Sequence, residues 1–264
     1  MSERTGLGII GFGAFGRFLA KHLSERFAVV VTDLRPLAEA AATLGVRWAG
    51  LAEVAAQPNL VFAVPVQDLE AAALAARRFL RTGARVYDVA SVKVKPLRVL
   101  DEILPRDASL LGLHPMFGPQ SGRDGIQGLK VVLCRPPGPR RAAAPRAVRR
   151  VLEAQLGLRV WELTPERHDH QMAHIQGLTH WFARALREIE LPSPELATVA
   201  YQHMLAIEEN LRYDSDALFL TIQRENPFGA AARAELRRRL EELERWIEEE
   251  SEGEGEGRDG QGLD

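Results

Sequence analysis

The sequence predicts an α/β fold: a doubly wound, mostly parallel sheet followed by an all-helical domain. Three observations carry the prediction. Apolar, β-rich runs alternate with helical segments from residue 1 to residue 163, the pattern of strands joined by crossover helices. A Gly11-x-Gly13-x-x-Gly16 turn sits between the first such strand and the first such helix. At Thr164-Pro165 an N-cap residue and a first-turn proline open a helix, and the composition then stays helical to Glu250.

The first element, Gly6 to Ile10, is an apolar strand, and Arg17 to Arg26 has helical periodicity. Between them, Gly11, Gly13 and Gly16 permit a tight turn and close approach to a pyrophosphate, which would rest on the helix N-terminus at Ala14 and Phe15. The next β-rich run, Phe27 to Asp33, ends in an acid placed to accept hydrogen bonds from the adenosine ribose. Strand, glycine turn, helix and terminal acid together indicate a Rossmann-type dinucleotide site. A carboxylate at Asp33 repels a 2′-phosphate and so favours NAD; Arg35 could hold that phosphate and leaves NADP open.

Further strands are expected at Asn59–Val64, Ala84–Val89, Leu110–Leu113, Leu129–Cys134 and Arg159–Leu163, with helices at Leu37–Leu44 and Asp68–Leu80. Arg135 to Arg146, rich in Pro, Arg and Ala, is expected to be a surface loop running into a helix. Ligands of such sheets bind beyond the carboxyl ends of the strands. Gly11, Asp33, Val64-Pro65, Ser91 and His114 all fall at such ends. At His114 an apolar run changes character, and Pro115 biases the histidine towards extended geometry. An imidazole of ordinary pKa about 6.5 can exchange protons near neutrality, so His114 is a candidate base. A histidine that merely caps backbone is the competing reading.

Composition narrows the class. A formal net charge of −2 makes a nucleic-acid surface unexpected, and the lone Cys134 excludes an internal disulfide. No apolar run reaches membrane-spanning length, and the glycine-rich start does not resemble a signal peptide, so a cytoplasmic protein is expected. The expected domains are 1–163, dinucleotide-binding; 164–250, helical; and 251–264, a disordered acidic tail. Arg233 to Glu250 forms a charged amphipathic helix, suited to a solvated or subunit-packing face. His168-Asp169-His170 and His174 suggest a metal site, but no third ligand with open coordination is evident and none is expected. At about 100° per residue, Asp169, Gln176 and His180 share one helical stripe, the wall of a polar pocket or an interhelical network.

With these residues in view, the chain resembles the prephenate/arogenate dehydrogenase family of tyrosine biosynthesis. The resemblance rests on Gly11-Phe-Gly-Ala-Phe-Gly16, Asp88-Val-Ala-Ser-Val-Lys93, Leu113-His-Pro-Met-Phe-Gly-Pro-Gln-Ser-Gly122 and His168-Asp169. The stretches from Glu208 to Phe219 and from Asn226 to Gly229 look most like plant-type arogenate dehydrogenases. The resemblance implies a helical domain that makes a homodimer, and a small-molecule substrate. It implies that His114 accepts the proton of the substrate's ring hydroxyl while Ser91 contacts the same hydroxyl and the histidine. It places Lys93, His168 and His180 around the substrate, with Gln120 of the same block as a further candidate. Many prephenate-using members carry an arginine for the ring carboxylate where this chain has Asn210; plant-type members also lack that arginine. The implied reaction is oxidative decarboxylation, giving 4-hydroxyphenylpyruvate from prephenate or tyrosine from arogenate. Two alternatives stand beside it. A β-hydroxyacid-type dehydrogenase would use Lys93 or a lysine of the helical half, which contains none. The other is a nucleotide-binding regulatory protein with weak turnover.

Overall fold

In the computed structural model, residues 4–256 are described apart from 137, 139–141, 190 and 193; the side chains of 194 and 251–256 are likewise left aside. The chain runs β1 (Gly6–Ile10), α1 (Ala14–Leu23), β2 (Ala28–Thr32), α2 (Ala38–Thr43), β3 (Arg47–Trp48), α3 (Leu51–Ala55) and β4 (Asn59–Phe62). It continues through α4 (Val66–Ala76), β5 (Arg85–Asp88), α5 (Val94–Ile103), β6 (Ser109–Pro115), β7 (Lys130–Cys134), α6 (Pro145–Arg150) and β8 (Arg159–Leu163). The helical half holds α7 (Pro165–Met172), a π turn (Ala173–Leu178), α8 (Thr179–Arg187), α9 (Val199–Leu211), α10 (Asp216–Arg224) and α11 (Gly229–Glu256).

Eight strands form one sheet in the order β3-β2-β1-β4-β5-β6-β7-β8. Every neighbouring pair is parallel except β6 and β7. The doubly wound, mostly parallel sheet is thus as expected. Strands buried on both faces are continuous apolar runs because successive side chains enter different cores. Ile10, Leu60 and Leu110 pack in the core that holds Leu97 and Leu100 of α5. Their neighbours Ile9, Val61 and Leu111 pack in the core that holds Ala20 of α1.

Some local expectations need correction. The stretch from Arg135 to Arg146 is not wholly a surface loop: Ala142 bridges to Leu110, and Ala143 is fully buried with its N–H donating to the Leu110 carbonyl at 3.0 Å. Small alanines let the chain dip against the start of β6 before Pro145 opens α6. The tail expected from Ser251 is helical as far as Glu256, because α11 continues through it; the remainder of that tail lies outside the described residues. No helix among the described residues is long and apolar enough to cross a membrane.

The helical half is fastened to the sheet half by polar contacts. The carboxylate of Asp169 on α7 accepts from the backbone N–H groups of Lys93 (2.7 Å) and Val94 (2.8 Å), at the start of α5. Thr221 donates to Gln67 at 3.2 Å and Lys95 pairs with Glu225 across the same junction, while within the helical half the Asn226 side chain donates to the Asp169 carbonyl at 2.7 Å.

Under this junction Lys93 is fully buried. Its ammonium pairs with Asp88 at the end of β5 and donates to the Leu113 carbonyl of β6 at 2.8 Å. Gly112 makes room for the lysine stem, since a Cβ there would meet Lys93 Cδ at 3.1 Å. Removing one partner of a buried pair strands the other charge, at about 3–5 kcal/mol. Lys93→Met should therefore lower the unfolding free energy by about that much in urea titration. Adding Asp88→Asn should restore most of it; equal losses in the single and double variants would trace the effect to packing of the stem.

Candidate active site

The glycine turn is shaped by steric need. Gly11 has φ +98°, and a Cβ on it would lie 2.5 Å from the Ala63 carbonyl oxygen. A Cβ on Gly16 would lie 2.0 Å from the Gly11 carbonyl oxygen, so α1 packs directly on the turn. Gly13 caps α1 without any side-chain hydrogen bond, which leaves the first-turn amides at Ala14 and Phe15 available to an anion. Val64 and Pro65 flank the same turn: Val64 Cγ1 lies 2.9 Å from a Cβ built on Gly11, and Pro65 caps α4. These features fit a dinucleotide pyrophosphate.

Asp33 follows β2 and is held from two sides. The Phe12 N–H donates to Oδ2 at 2.7 Å, while the Arg35 N–H (3.0 Å) and Nε (3.1 Å) donate to Oδ1. Burial pushes the Asp33 carboxyl up, but the hydrogen bonds from Arg35 and Phe12 outweigh it and hold it below the usual range. Arg35 therefore neutralises the carboxylate that was expected to repel a 2′-phosphate. Its guanidinium is also the nearest group to a Cβ built on Gly13, at 3.7 Å.

Beyond β6 lies a chain of buried polar groups. His114, 2% exposed, has Nδ1 2.7 Å from Nε2 of His168, and His168 Nδ1 is 2.7 Å from Asp169 Oδ1. His168 and Asp169 are both fully buried. The order of donors follows from the ends. Both Asp169 oxygens act as acceptors, Oδ1 for the Lys93 amide and Oδ2 for the Val94 amide, so His168 donates to Oδ1 from Nδ1 and accepts at Nε2. His114 then donates from Nδ1, which leaves the lone pair on its Nε2. The Gln176 amide nitrogen stands 3.5 Å from that Nε2, while its Oε1 is buried without a hydrogen-bond partner. Burial, then His168 and Lys93, hold the His114 pKa well below 6.5. The site thus presents a neutral imidazole whose Nε2 lone pair accepts only a long contact, 3.5 Å, from the Gln176 amide.

Several candidate residues stand elsewhere. Ser91 is half-buried, and none of the hydrogen bonds described for His114 goes to it; the histidine's partner is His168. Lys93 is a buried brace whose ammonium is held by Asp88 and the Leu113 carbonyl. Gln120 and Asn210 are exposed, on the loop after β6 and on α9 respectively. His180 faces Asp214 at 3.4 Å, in a separate hollow with Arg187, Leu211 and Phe219. The expected stripe of Asp169, Gln176 and His180 is broken by the π turn at Ala173–Leu178, which shifts the phase of later residues. His170 and His174 lie side by side, but among the described residues no three His, Cys, Asp or Glu side chains are placed to hold a metal ion. A depression of about 420 Å³ over α1 and α2 reaches Ala14 at the glycine turn, Arg17, Lys21 and Pro119, but none of the buried polar groups around His114. Cys134 is buried in β7, its thiol pushed up to about 12 by burial, and is unsuited to a nucleophile's role.

The model of the nucleotide-binding domain of prephenate dehydrogenase matches residues 15–160, more than half of the chain. The chain belongs to the prephenate dehydrogenase family. Arogenate dehydrogenase 2, chloroplastic, of Arabidopsis thaliana is 29% identical over 86% of this chain and 65% of its own length. Arogenate dehydrogenase 1, chloroplastic, of the same plant is 30% identical over 85% of this chain and 36% of its own length. The chain thus spans between about a third and two thirds of these plant relatives. The crystal structure of Aquifex aeolicus prephenate dehydrogenase with hydroxyphenyl propionate and NAD+ superposes with a TM-score of 0.74 at 22% identity, covering 96% of this chain and 94% of that one. The family's fold is therefore shared along nearly the whole chain.

Buried neutral histidines make the fold acid-sensitive. Burial lowers the His180 pKa from 6.5 to about 4 despite the nearby Asp214. Between those values the unfolded chain binds the proton and the folded chain does not. Stability is then fully present above pH 6.5 and falls as pH drops towards 4. His180 alone should account for up to about 3 kcal/mol of that loss. Urea midpoints at several pH values should show the fall, with a shallower slope in His180→Gln; an unchanged slope would assign the effect to other groups.

Proposed function

We propose that this protein is an NAD-dependent dehydrogenase that oxidises and decarboxylates prephenate, arogenate or both, in tyrosine biosynthesis. The observation that carries the reading is the His114 lone pair, held by His168 at the carboxyl edge of the sheet that also bears the glycine turn. The family membership, the plant relatives' names and the Aquifex complex with NAD+ support it.

In this reading, the amides opening α1 bind the pyrophosphate and Asp33 receives the ribose hydroxyls. NADP stays possible through Arg35. When bound, the nicotinamide supplies the acceptor for a hydride. His114 takes the proton of the ring hydroxyl at Nε2 as the hydride leaves the same carbon. Loss of CO2 then makes the ring aromatic, so no further strong acid is required of the protein. Gln176, which faces His114 Nε2, is assigned to the substrate side, with Ser91 and Gln120 as candidates beside it and His168 behind the base. Lys93, consumed by Asp88 and the Leu113 carbonyl, is not free to serve as the base of a β-hydroxyacid-type enzyme. The intact lone pair on His114 favours turnover over a purely regulatory role.

The test is NADH formation with prephenate and with arogenate, using NAD and NADP in parallel. Turnover of at least one substrate, with NAD preferred, is expected; absence of turnover with both would reject the function. NADP preference would assign cofactor choice to Arg35 in place of Asp33. His114→Asn should retain cofactor binding and lower kcat by about 10²–10⁴. The acid limb of wild-type kcat/KM should lie below pH 6.5, since the His114 pKa is lowered, and should be absent in the variant.

The same reading makes the protein a cytoplasmic homodimer joined through its helical half. Phe182, Ile189, Leu196 and Val199 are exposed, as are Leu240 and Ile247 on one stripe of α11. So much apolar surface on one half is the mark of an interface. Light scattering at micromolar concentration should give twice the chain mass of 29.3 kDa, and a monomer mass would reject the dimer.

A further inference from the structure

His168 is buried, hydrogen-bonded on both nitrogens and shielded from solvent, which is more than the orientation of one base demands. Resting on the function proposed above, we infer that His114 and His168 form a two-histidine proton relay that delivers positive charge to Asp169. The substrate O–H breaks and a bond forms from that proton to His114 Nε2. The Nδ1 proton of His114 passes to His168 Nε2. His114 ends neutral with its proton on Nε2, and His168 ends as an imidazolium beside the Asp169 carboxylate. After product leaves, the Nε2 proton of His168 returns to His114 Nδ1, and His114 Nε2 releases its own to water. Protons and charge balance at each step, and both histidines return to their starting tautomers.

Geometry supports the transfer. The two nitrogens are 2.7 Å apart, in rings set at 71° to each other with centroids 4.9 Å apart. The acceptor cannot turn away, because Asp169 grips its far nitrogen at 2.7 Å and is itself held by the Lys93 and Val94 amides. The charged neighbours favour the outward move. His114 is faced by Lys93 and His168, both of which oppose a positive charge on it, in addition to burial. His168 is also opposed by burial and Lys93, but the Asp169 and Asp88 carboxylates draw charge onto it. An imidazolium kept at His114 would have no hydrogen-bonded carboxylate among the described residues. His168 and Asp169 are positioning residues in this scheme, acting through His114.

The test combines spectroscopy and kinetics on the full chain. In ¹⁵N-histidine NMR, with His114→Asn and His168→Asn used to assign the signals, both rings should carry their proton on Nδ1 above pH 7. On acidification His168 should become charged before His114. Titration in the opposite order, or an Nε2-protonated His168 at neutral pH, would overturn the relay. His168→Asn keeps an acceptor for the His114 Nδ1 proton but cannot take the proton itself. It should lower kcat by roughly 10–10² with little change in KM. It should also turn a curved proton inventory in mixed H2O and D2O into a linear one. Wild-type kcat and a curved inventory in that variant would equally overturn the relay. The NMR arm needs no substrate and uses the wild-type fold. A wild type without turnover would count against the proposed function, while the titration order would still decide the relay.

Discussion

The Asp169 carboxylate is completely buried, and a charge in that position is tolerated only when its lone pairs are occupied. The amides of Lys93 and Val94 supply two donors, and the N–H groups at the start of α5, which have no partner within the helix, are the natural ones to do so. The third donor is His168. One residue thereby sets where α7 sits on the sheet, which way the His168 ring faces and which nitrogen of His114 stays unprotonated. The contact that joins the two halves is also the contact that prepares the base. Lys93 completes the arrangement from below, tying the ends of β5 and β6 together through Asp88 and Leu113.

Much of the sheet was legible because parallel strands buried on both faces leave unbroken apolar runs. β1, β4 and β6 were visible for that reason. β3 was not, since two residues cannot display a period, and neither was α3, whose five residues form little more than one turn. The stripe of Asp169, Gln176 and His180 was a correct use of the 3.6-residue period on a helix that does not keep it. Nothing local in Ala173–Leu178 announces a π turn; its tertiary neighbours are α10 and α11, and Gln223 of α10 donates to the Gly177 carbonyl at 2.8 Å.

Within the site, the legible part was the local part. The glycine turn and Asp33 belong to one β-α-β unit, so their spacing carries their meaning. The His114–His168 contact joins residues 54 apart in sequence, and no pattern within either segment predicts it. Lys93 misled in another way. Its place in the motif suggested a pocket residue, whereas the nearby Asp88 and the space left by Gly112 draw the side chain inward. Arg35 was visible as a counterweight to Asp33, but only the fold shows that the pair is already neutralised before any ligand arrives. In the proposed cofactor site, ribose hydroxyls would compete with Arg35 for Oδ1, which would couple cofactor choice to the freedom of one exposed side chain.

The separation between base and carboxylate has an electrostatic logic. A carboxylate bonded directly to His114 would stabilise its imidazolium, raise its pKa and leave less of the neutral base near pH 7. On the function proposed, it would also stand close to a substrate that carries carboxylates of its own, and like charges at short range in a water-poor site repel strongly. Setting Asp169 one imidazole further back avoids both effects. The resting base stays neutral, as burial and Lys93 already require. The negative charge is kept on the α5 side of the ring, where two amides face it. In the proposed relay the counter-charge becomes useful only when a proton arrives, because only then would the hydrogen-bonded path through His168 carry a positive charge to meet it. A second histidine between base and acid therefore reconciles a low pKa in the resting site with stabilisation of the charge that catalysis creates.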